Sequence, residues 1–266
     1  MNANKKVLIL CCMAVLLWLP LLASNAVAAD MAALVNTAGM QRMLSQRIAK
    51  DYLFLGSQIR AGKATRQMQG SLALVLNNHD VLKKSVTDTK VQGLLGEIDP
   101  LLDKLTRITK APYVKSSGAS MLELSQSLLE LNQAVVESLE GQQAEKTVTA
   151  VNIAGRQRML SQRIGMLYAA RQAGLANDST AAQMRQAVAE FESAHASLEG
   201  NSLNSDKINR ELQGVENLWK TIRHYFTDNG ETGYPVTIFV TTDDIMKRMN
   251  VVTLLYVKAH WVGKSQ

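Results

Sequence analysis

A phrase of thirteen residues, AGMQRMLSQRIAK at residues 38–50, returns as AGRQRMLSQRIGM at residues 154–166. The likeness extends beyond the phrase. Residues 35–52 align with 151–168 at an offset of 116, with 13 of 18 positions identical. At the same offset Met68 meets Met184, His79 meets His195 and Leu82 meets Leu198. One residue later, residues 97–105 match 214–222 in pattern. An offset sustained over most of a chain marks a duplicated unit of roughly 115 residues. Both copies must reach the same fold, and the phrase between them has been held while its surroundings diverged.

Each unit reads as four helices. Residues 72–86, 121–139 and 208–226 repeat apolar side chains at three- and four-residue spacing. Breaks fall at RAGKAT (60–65), TDT (87–89), KAPYVKSSGAS (110–120), LANDST (175–180), EGNSLNSD (199–206) and DNGETGYP (228–235). The expected helices are 31–60, 65–87, 90–109, 119–140, 144–173, 179–199, 205–227 and 236–262. Two points stay open: a single helix over 119–173, and a strand over 236–245, which would have no partner here. The expected fold is all-α, two tandem up-down four-helix bundles arranged as a pseudo-dimer, with the first unit at 30–142 and the second at 143–266.

The first 29 residues read as a signal peptide, with an uncleaved anchor as the other reading. Lys5 and Lys6 precede an apolar run at 7–22 and small residues suited to cleavage after Ala28 or Ala29. Without the leader the formal charge falls from +6 to +4, and Cys11 and Cys12 go with it. A secreted, periplasmic chain with no remaining cysteine has no disulfide, thiol nucleophile or thiolate metal site. The spread basic residues suit small anions or an anionic surface, not nucleic acid.

A helical wheel separates the faces of the repeated helix. Leu34, Thr37, Leu44, Ile48, Tyr52 and Leu55 form one stripe facing the unit's own core. Val35, Gly39, Arg42 and Gln46 lie nearly opposite, while Asn36, Met40, Met43 and Arg47 form a third strip. The Arg42 face is therefore a second packing or binding surface. Gly39 sits one turn before Arg42, as Gly155 does before Arg158. Glycine inside a helix costs about 0.5–1 kcal/mol against alanine, so it marks close approach. If the units pack about a pseudo-twofold axis through these faces, Arg42 and Arg158 converge, and two guanidinium groups meeting in a dry interface call for an anion.

Other chemistry is thin. His79, His195, His224 and His260 lack partners at metal-ligand spacing and read as packed or surface residues. Glu123, Glu130 and Glu137 at seven-residue spacing read as a solvated face, and Met40, Met43, Met159 and Met166 as interface filler. No catalytic motif or cofactor motif is present, and no enzyme, metal or cofactor is expected.

The pattern Asn-x-Ala-Gly-x-x-Arg-Met-x-Ser-x-Arg resembles the P-box of bacterial nitrate/nitrite-sensing histidine kinases. The longer wording of residues 152–163 resembles the N-terminal sensor domain of type IV pili methyl-accepting chemotaxis transducers, the PilJ type. Residues 36–47 depart from it only at Met40. The resemblance implies a periplasmic four-helix bundle that dimerises through the box helix around one nitrate. It implies Gly39, Arg42, Gly155 and Arg158 as ligand-binding residues. Arg47 and Arg163 match the second box arginine as supports, and Asn36, Gln46, Asn152 and Gln162 complete the supporting set. Family members usually carry transmembrane helices and a cytoplasmic signalling module, and neither is expected from this sequence. The expectation is therefore a periplasmic protein that binds or senses nitrate or nitrite and passes its output to a membrane receptor or histidine kinase. An unbroken helix over 119–173 would instead pair the boxes between the chains of a homodimer. The other reading is a helical adaptor of the cell envelope, docking a pilus or chemoreceptor partner with no small ligand.

Overall fold

The computed structural model describes residues 19–142, 145–227 and 233–262, with side chains at 31–142, 145–227 and 233–259. The expected leader, residues 1–29, lies outside the described residues apart from its backbone from Leu19 onward, which is helical. Among the described residues eight α-helices form in order: α1 (Leu19–Gly56), α2 (Ala61–Ser85), α3 (Thr89–Lys110), α4 (Lys115–Glu140), α5 (Lys146–Gln172), α6 (Asp178–Glu199), α7 (Asp206–Ile222) and α8 (Pro235–Val262). A 3-10 turn, Arg223–Phe226, follows α7, where a continuing α-helix was expected. Among the described residues there is no strand, so 236–245 is helical, and α4 and α5 are separate helices rather than one.

Local chemistry sets the breaks. Asp88 accepts from Val91 N–H at the start of α3, and Asn177 with Thr180 closes a capping box on α6. Gly174, at φ 64°, ends α5. Its N–H reaches Arg171 C=O while Leu175 N–H reaches Ala170 C=O, a Schellman arrangement that needs the left-handed residue. Two expected breaks are shorter than the sequence suggests. Arg60 takes the left-handed conformation and its carbonyl receives Lys63 and Ala64 N–H, so α2 starts at Ala61 and not at 65. α4 starts at Lys115 and not at 119: Val114 is extended before it and its carbonyl receives Gly118 N–H, and at Gly118 a Cβ would lie 2.9 Å from both Leu175 Cδ1 and Tyr113 Oη.

Within each half the helices form a ring: α1 packs on α2 and α4, and α3 closes against α4; α5 packs on α6 and α8, and α7 closes against α8. The two rings meet through α1 and α5, with α8 also touching α1 and α4 touching α5. Each box helix is thus covered by its own bundle and by the other box helix. Every residue from Gln157 to Ala170 is buried, which is why this stretch has apolar and polar side chains inside on all sides. Phe54 and Phe239 seal one end of the junction edge to face, with ring centroids 5.2 Å apart. No helix among the described residues is long and apolar enough to cross a membrane.

Candidate functional site

The junction buries two arginines. Arg42 on α1 and Arg158 on α5 are both 0% exposed. Each is held by one amide from its own bundle and one from the other. Arg42 donates through Nη1 to Gln133 Oε1 and through Nη2 to Asn152 Oδ1, at 2.5 and 2.8 Å. Arg158 donates through Nη1 to Asn250 Oδ1 at 2.7 Å and through Nη2 to Asn36 Oδ1 at 3.2 Å. The two sets are the same set seen from opposite sides: Asn36 and Asn152 are separated by the repeat offset, and Gln133 and Asn250 by one residue more. Two further pairs frame them. Gln41 and Gln157 donate to Val75 and Phe191 carbonyls, and Gln46 and Gln162 donate to Ser125 and Thr242 carbonyls.

The electrostatics are unbalanced. Among the described residues neither guanidinium forms an ion pair, and Nε of both is buried without a hydrogen-bond partner. Burial and the facing Arg158 push Arg42 down to about 9, and burial pushes Arg158 down to about 10. A guanidinium keeps its proton in proteins, so these shifts express the cost of holding two like charges away from water. Glu140 and Glu137 favour the charged form of Arg42 from a distance, and each is tied to one of its amide partners: Asn152 Nδ2 donates to Glu140 and Gln133 Nε2 to Glu137.

The two glycines sit against both charges. A Cβ on Gly39 would lie 3.2 Å from Arg42 Nη2 and 3.8 Å from Arg158 Nη2; on Gly155 both distances would be 3.7 Å. The four expected ligand residues, Gly39, Arg42, Gly155 and Arg158, therefore surround one point between the bundles. Such a point offers N–H donors and positive charge and no acid, which suits a small planar anion.

The supporting residues behave unequally. Gln46 Oε1 accepts from Arg163 Nη1 at 3.2 Å, across the junction. The matching acceptor, Gln162 Oε1, takes its hydrogen bond from Lys50 Nζ at 2.7 Å and not from Arg47. Lys50 also pairs with Asp243, and Arg47 stands 4.0 Å from Asp243 and from Asp51. Asp51 is 0% exposed with neither carboxylate oxygen hydrogen-bonded. Burial pushes its pKa up to about 7, against the pull of Lys50. Burial alone would raise Asp243 as well, but Lys50 and Arg47 hold it below the usual carboxylate range. The second copy has Met166, Leu167 and Gln126 at these places, so this charged cluster exists at one end of the junction only.

Lys50, Asp51, Asp243, Gln133 and Asn250 were not singled out from sequence. Gln133 and Asn250 were legible, since the one-residue-longer offset seen in the third helices continues into the fourth. The histidines that are described pack as expected: His79 bonds Asp99 at 2.7 Å, and His195 lies 3.8 Å from Glu216, its repeat counterpart. No cluster that could hold a metal occurs among the described residues.

Comparison with known proteins agrees with the repeat. The family model described as type IV pili methyl-accepting chemotaxis transducer N-term, PilJ, matches residues 24–134 and again residues 141–236. A search of curated proteins and of solved structures returns no match. The two matches cover most of the chain and fall one on each box. The chain belongs to the PilJ family, the N-terminal sensor-type domain of type IV pili chemotaxis transducers, and carries that domain twice.

Proposed function

We propose that this chemotaxis or pilus signalling module is a periplasmic protein that binds one small oxyanion, nitrate or nitrite first, between Arg42 and Arg158. The observation that carries the reading is the pair of fully buried guanidinium groups with only neutral amide partners. A buried charge without a counterion is costly, and one monovalent anion shared by both arginines offsets that cost while its in-plane oxygens meet the free N–H groups. Asn36 and Asn152 orient the guanidinium groups from the opposite bundle, and Gln46 and Gln162 brace the helices behind them. The domain limits are 30–142 and 143–266 behind a signal peptide of 29 residues. Output passes to a separate membrane receptor or histidine kinase.

A ceiling of about −1.5 kcal/mol per heavy atom bounds a four-atom ligand at roughly −6 kcal/mol, a Kd of about tens of micromolar. Ligand at about a hundred times Kd should then add roughly 2.7 kcal/mol to the stability of the fold. Thermal unfolding in nitrate, nitrite, sulfate and chloride at matched ionic strength tests this. Nitrate or nitrite should raise the midpoint selectively, and Arg42→Gln or Arg158→Gln should remove the shift. An equal response to all four salts, or a nitrate shift that survives both substitutions together, contradicts the site. A fold whose stability depends on both arginines while no anion affects it supports the adaptor reading instead.

A further inference from the structure

A cavity opens beside the junction, between α4 of the first bundle and α5 and α6 of the second. It encloses about 410 Å³, within the range of small-molecule sites. An α-helix about 10–12 Å across would fit no more than about one turn into it, so its size suits a small ligand and not a partner helix. Its chemistry is of two signs. Arg163 lies at its floor, 8% exposed, with Nη1 on Gln46 Oε1 and Nη2 on Gln126 and Gln183 Oε1 atoms. Those partners are all neutral amides. Glu130 and Glu190 are its nearest acids and favour its charged form against the opposing effect of burial. At the rim Arg156 is already paired with Glu190 at 2.7 Å, while exposed Glu130 holds only the Gln126 amide.

The duplication supplies an internal control. Across the pseudo-twofold axis the same place lies between α8, α1 and α2. Its floor repeats the first: Met43, Arg47 and Gln67 stand for Met159, Arg163 and Gln183. Its rim does not. Arg156, Glu130 and Glu190 are replaced by Met40, Lys247 and Leu74, and Asp243 stands where Gln126 does, so Arg47 has a carboxylate at 4.0 Å where Arg163 has none. Packing accounts for the shared floor. It does not account for a cation without an acid partner at the bottom of one groove and an acid without a cation partner at its lip.

We propose that this groove binds an α-amino acid, its carboxylate on Arg163 and its ammonium on Glu130. A ligand carrying both charges a few bonds apart satisfies both groups, whereas an anion alone meets the glutamates and an amine alone meets the arginines. The leucine and alanine side of the groove, Leu129 and Ala187, leaves room for a side chain.

The test is calorimetry on the full chain with each proteinogenic L-amino acid in turn, beside propionate and ethylammonium as half-ligands. At least one amino acid should bind at millimolar concentration or below, and neither half-ligand should. The triple variant Arg156→Met, Glu130→Lys and Glu190→Leu copies the rim of the opposite groove at solvent-reached positions. It should weaken binding at least about tenfold, the loss of one charge-assisted hydrogen bond, while its helical content stays that of the wild type. Absence of any amino-acid heat, binding of a half-ligand equal to that of the amino acid, or unchanged affinity in the triple variant overturns the proposal.

Discussion

A single buried side chain is costly or harmless according to what faces it, and the junction shows both outcomes. Arg163 and Lys50 each cap a glutamine of the opposite box, but Lys50 does so amid two carboxylates. Removing one member of such a cluster leaves the others buried and unpaired. Lys50→Met, which copies Met166, should therefore destabilise by about 3–5 kcal/mol. Adding Asp51→Leu and Asp243→Gln, which copies the second half completely, should recover most of that loss, as chemical denaturation will measure. Asp51 also sets a pH dependence. Its pKa in the fold, about 7, lies above the ordinary 3.8, so between those values the folded chain holds a proton that the unfolded chain has released. Stability should fall as pH rises through that window and level off above it. His195, whose pKa burial lowers, acts in the opposite sense below its ordinary 6.5. The difference between wild type and Asp51→Asn isolates the Asp51 slope: denaturant midpoints should decline with pH more steeply in the wild type than in the variant. None of this cluster was legible in the repeat, because repetition reveals what both copies share and these residues are where they differ.

At the level of the helix, the box explains why a glycine appears in it. Gly155 carries no turn and no positive φ; its value is the space beside two guanidinium groups. A methyl there would meet Nη2 atoms at 3.7 Å, ordinary contact, so Gly155→Ala should be tolerated and gain up to about 1 kcal/mol of helix stability. The same methyl would occupy the approach of the proposed anion. Melting temperature should hold or rise while nitrate affinity falls, a pairing that a purely structural glycine does not produce. Gly165 is the opposite case. A Cβ there would lie 2.9 Å from Thr242 Oγ1 and 3.0 Å from Lys50 Cδ, so Gly165→Ala should cost about 1–3 kcal/mol by forcing α8 and α1 outward. The wheel predicted the second face of α1, because Gly39, Arg42 and Gln46 share it. It could not predict that residues 157–170 of α5 are all buried, since a helix segment enclosed by two bundles has no polar stripe to report. Apart from the start of α1, at Leu19 where 31 was expected, helix ends were read to within about five residues, and the starts of α2 and α4 were each placed four residues late. There a left-handed Arg60 and a tightly packed Gly118 do work that sequence reads only as a loop.

At the level of the whole molecule, the repeat becomes a pseudo-twofold axis within one chain. The hydrogen bonds of Arg42 and Arg158 are interchanged by it, residue for residue, through both the 116 and the 117 offsets. Separate α4 and α5, joined by a short connection, let the first bundle fold back on the second, so that both halves of the central site come from one molecule. The fold was legible because the box appears twice and the periodicity of eight helices is regular. The asymmetry was visible only as mismatches in the aligned stretch, Met40 against Arg156 and Lys50 and Asp51 against Met166 and Leu167 among them, and what they do became readable only once Asp243 of α8 and Glu130 of α4 were in place beside them. The account makes one quantity decisive: the number of anions per chain. Titration calorimetry with nitrate, on protein whose mass in solution is measured in the same buffer, should return one site per monomeric chain. It should return none for Arg42→Gln combined with Arg158→Gln. No nitrate heat at millimolar concentration, or one anion for every two chains, would contradict a site built by one molecule from its own two copies of the box.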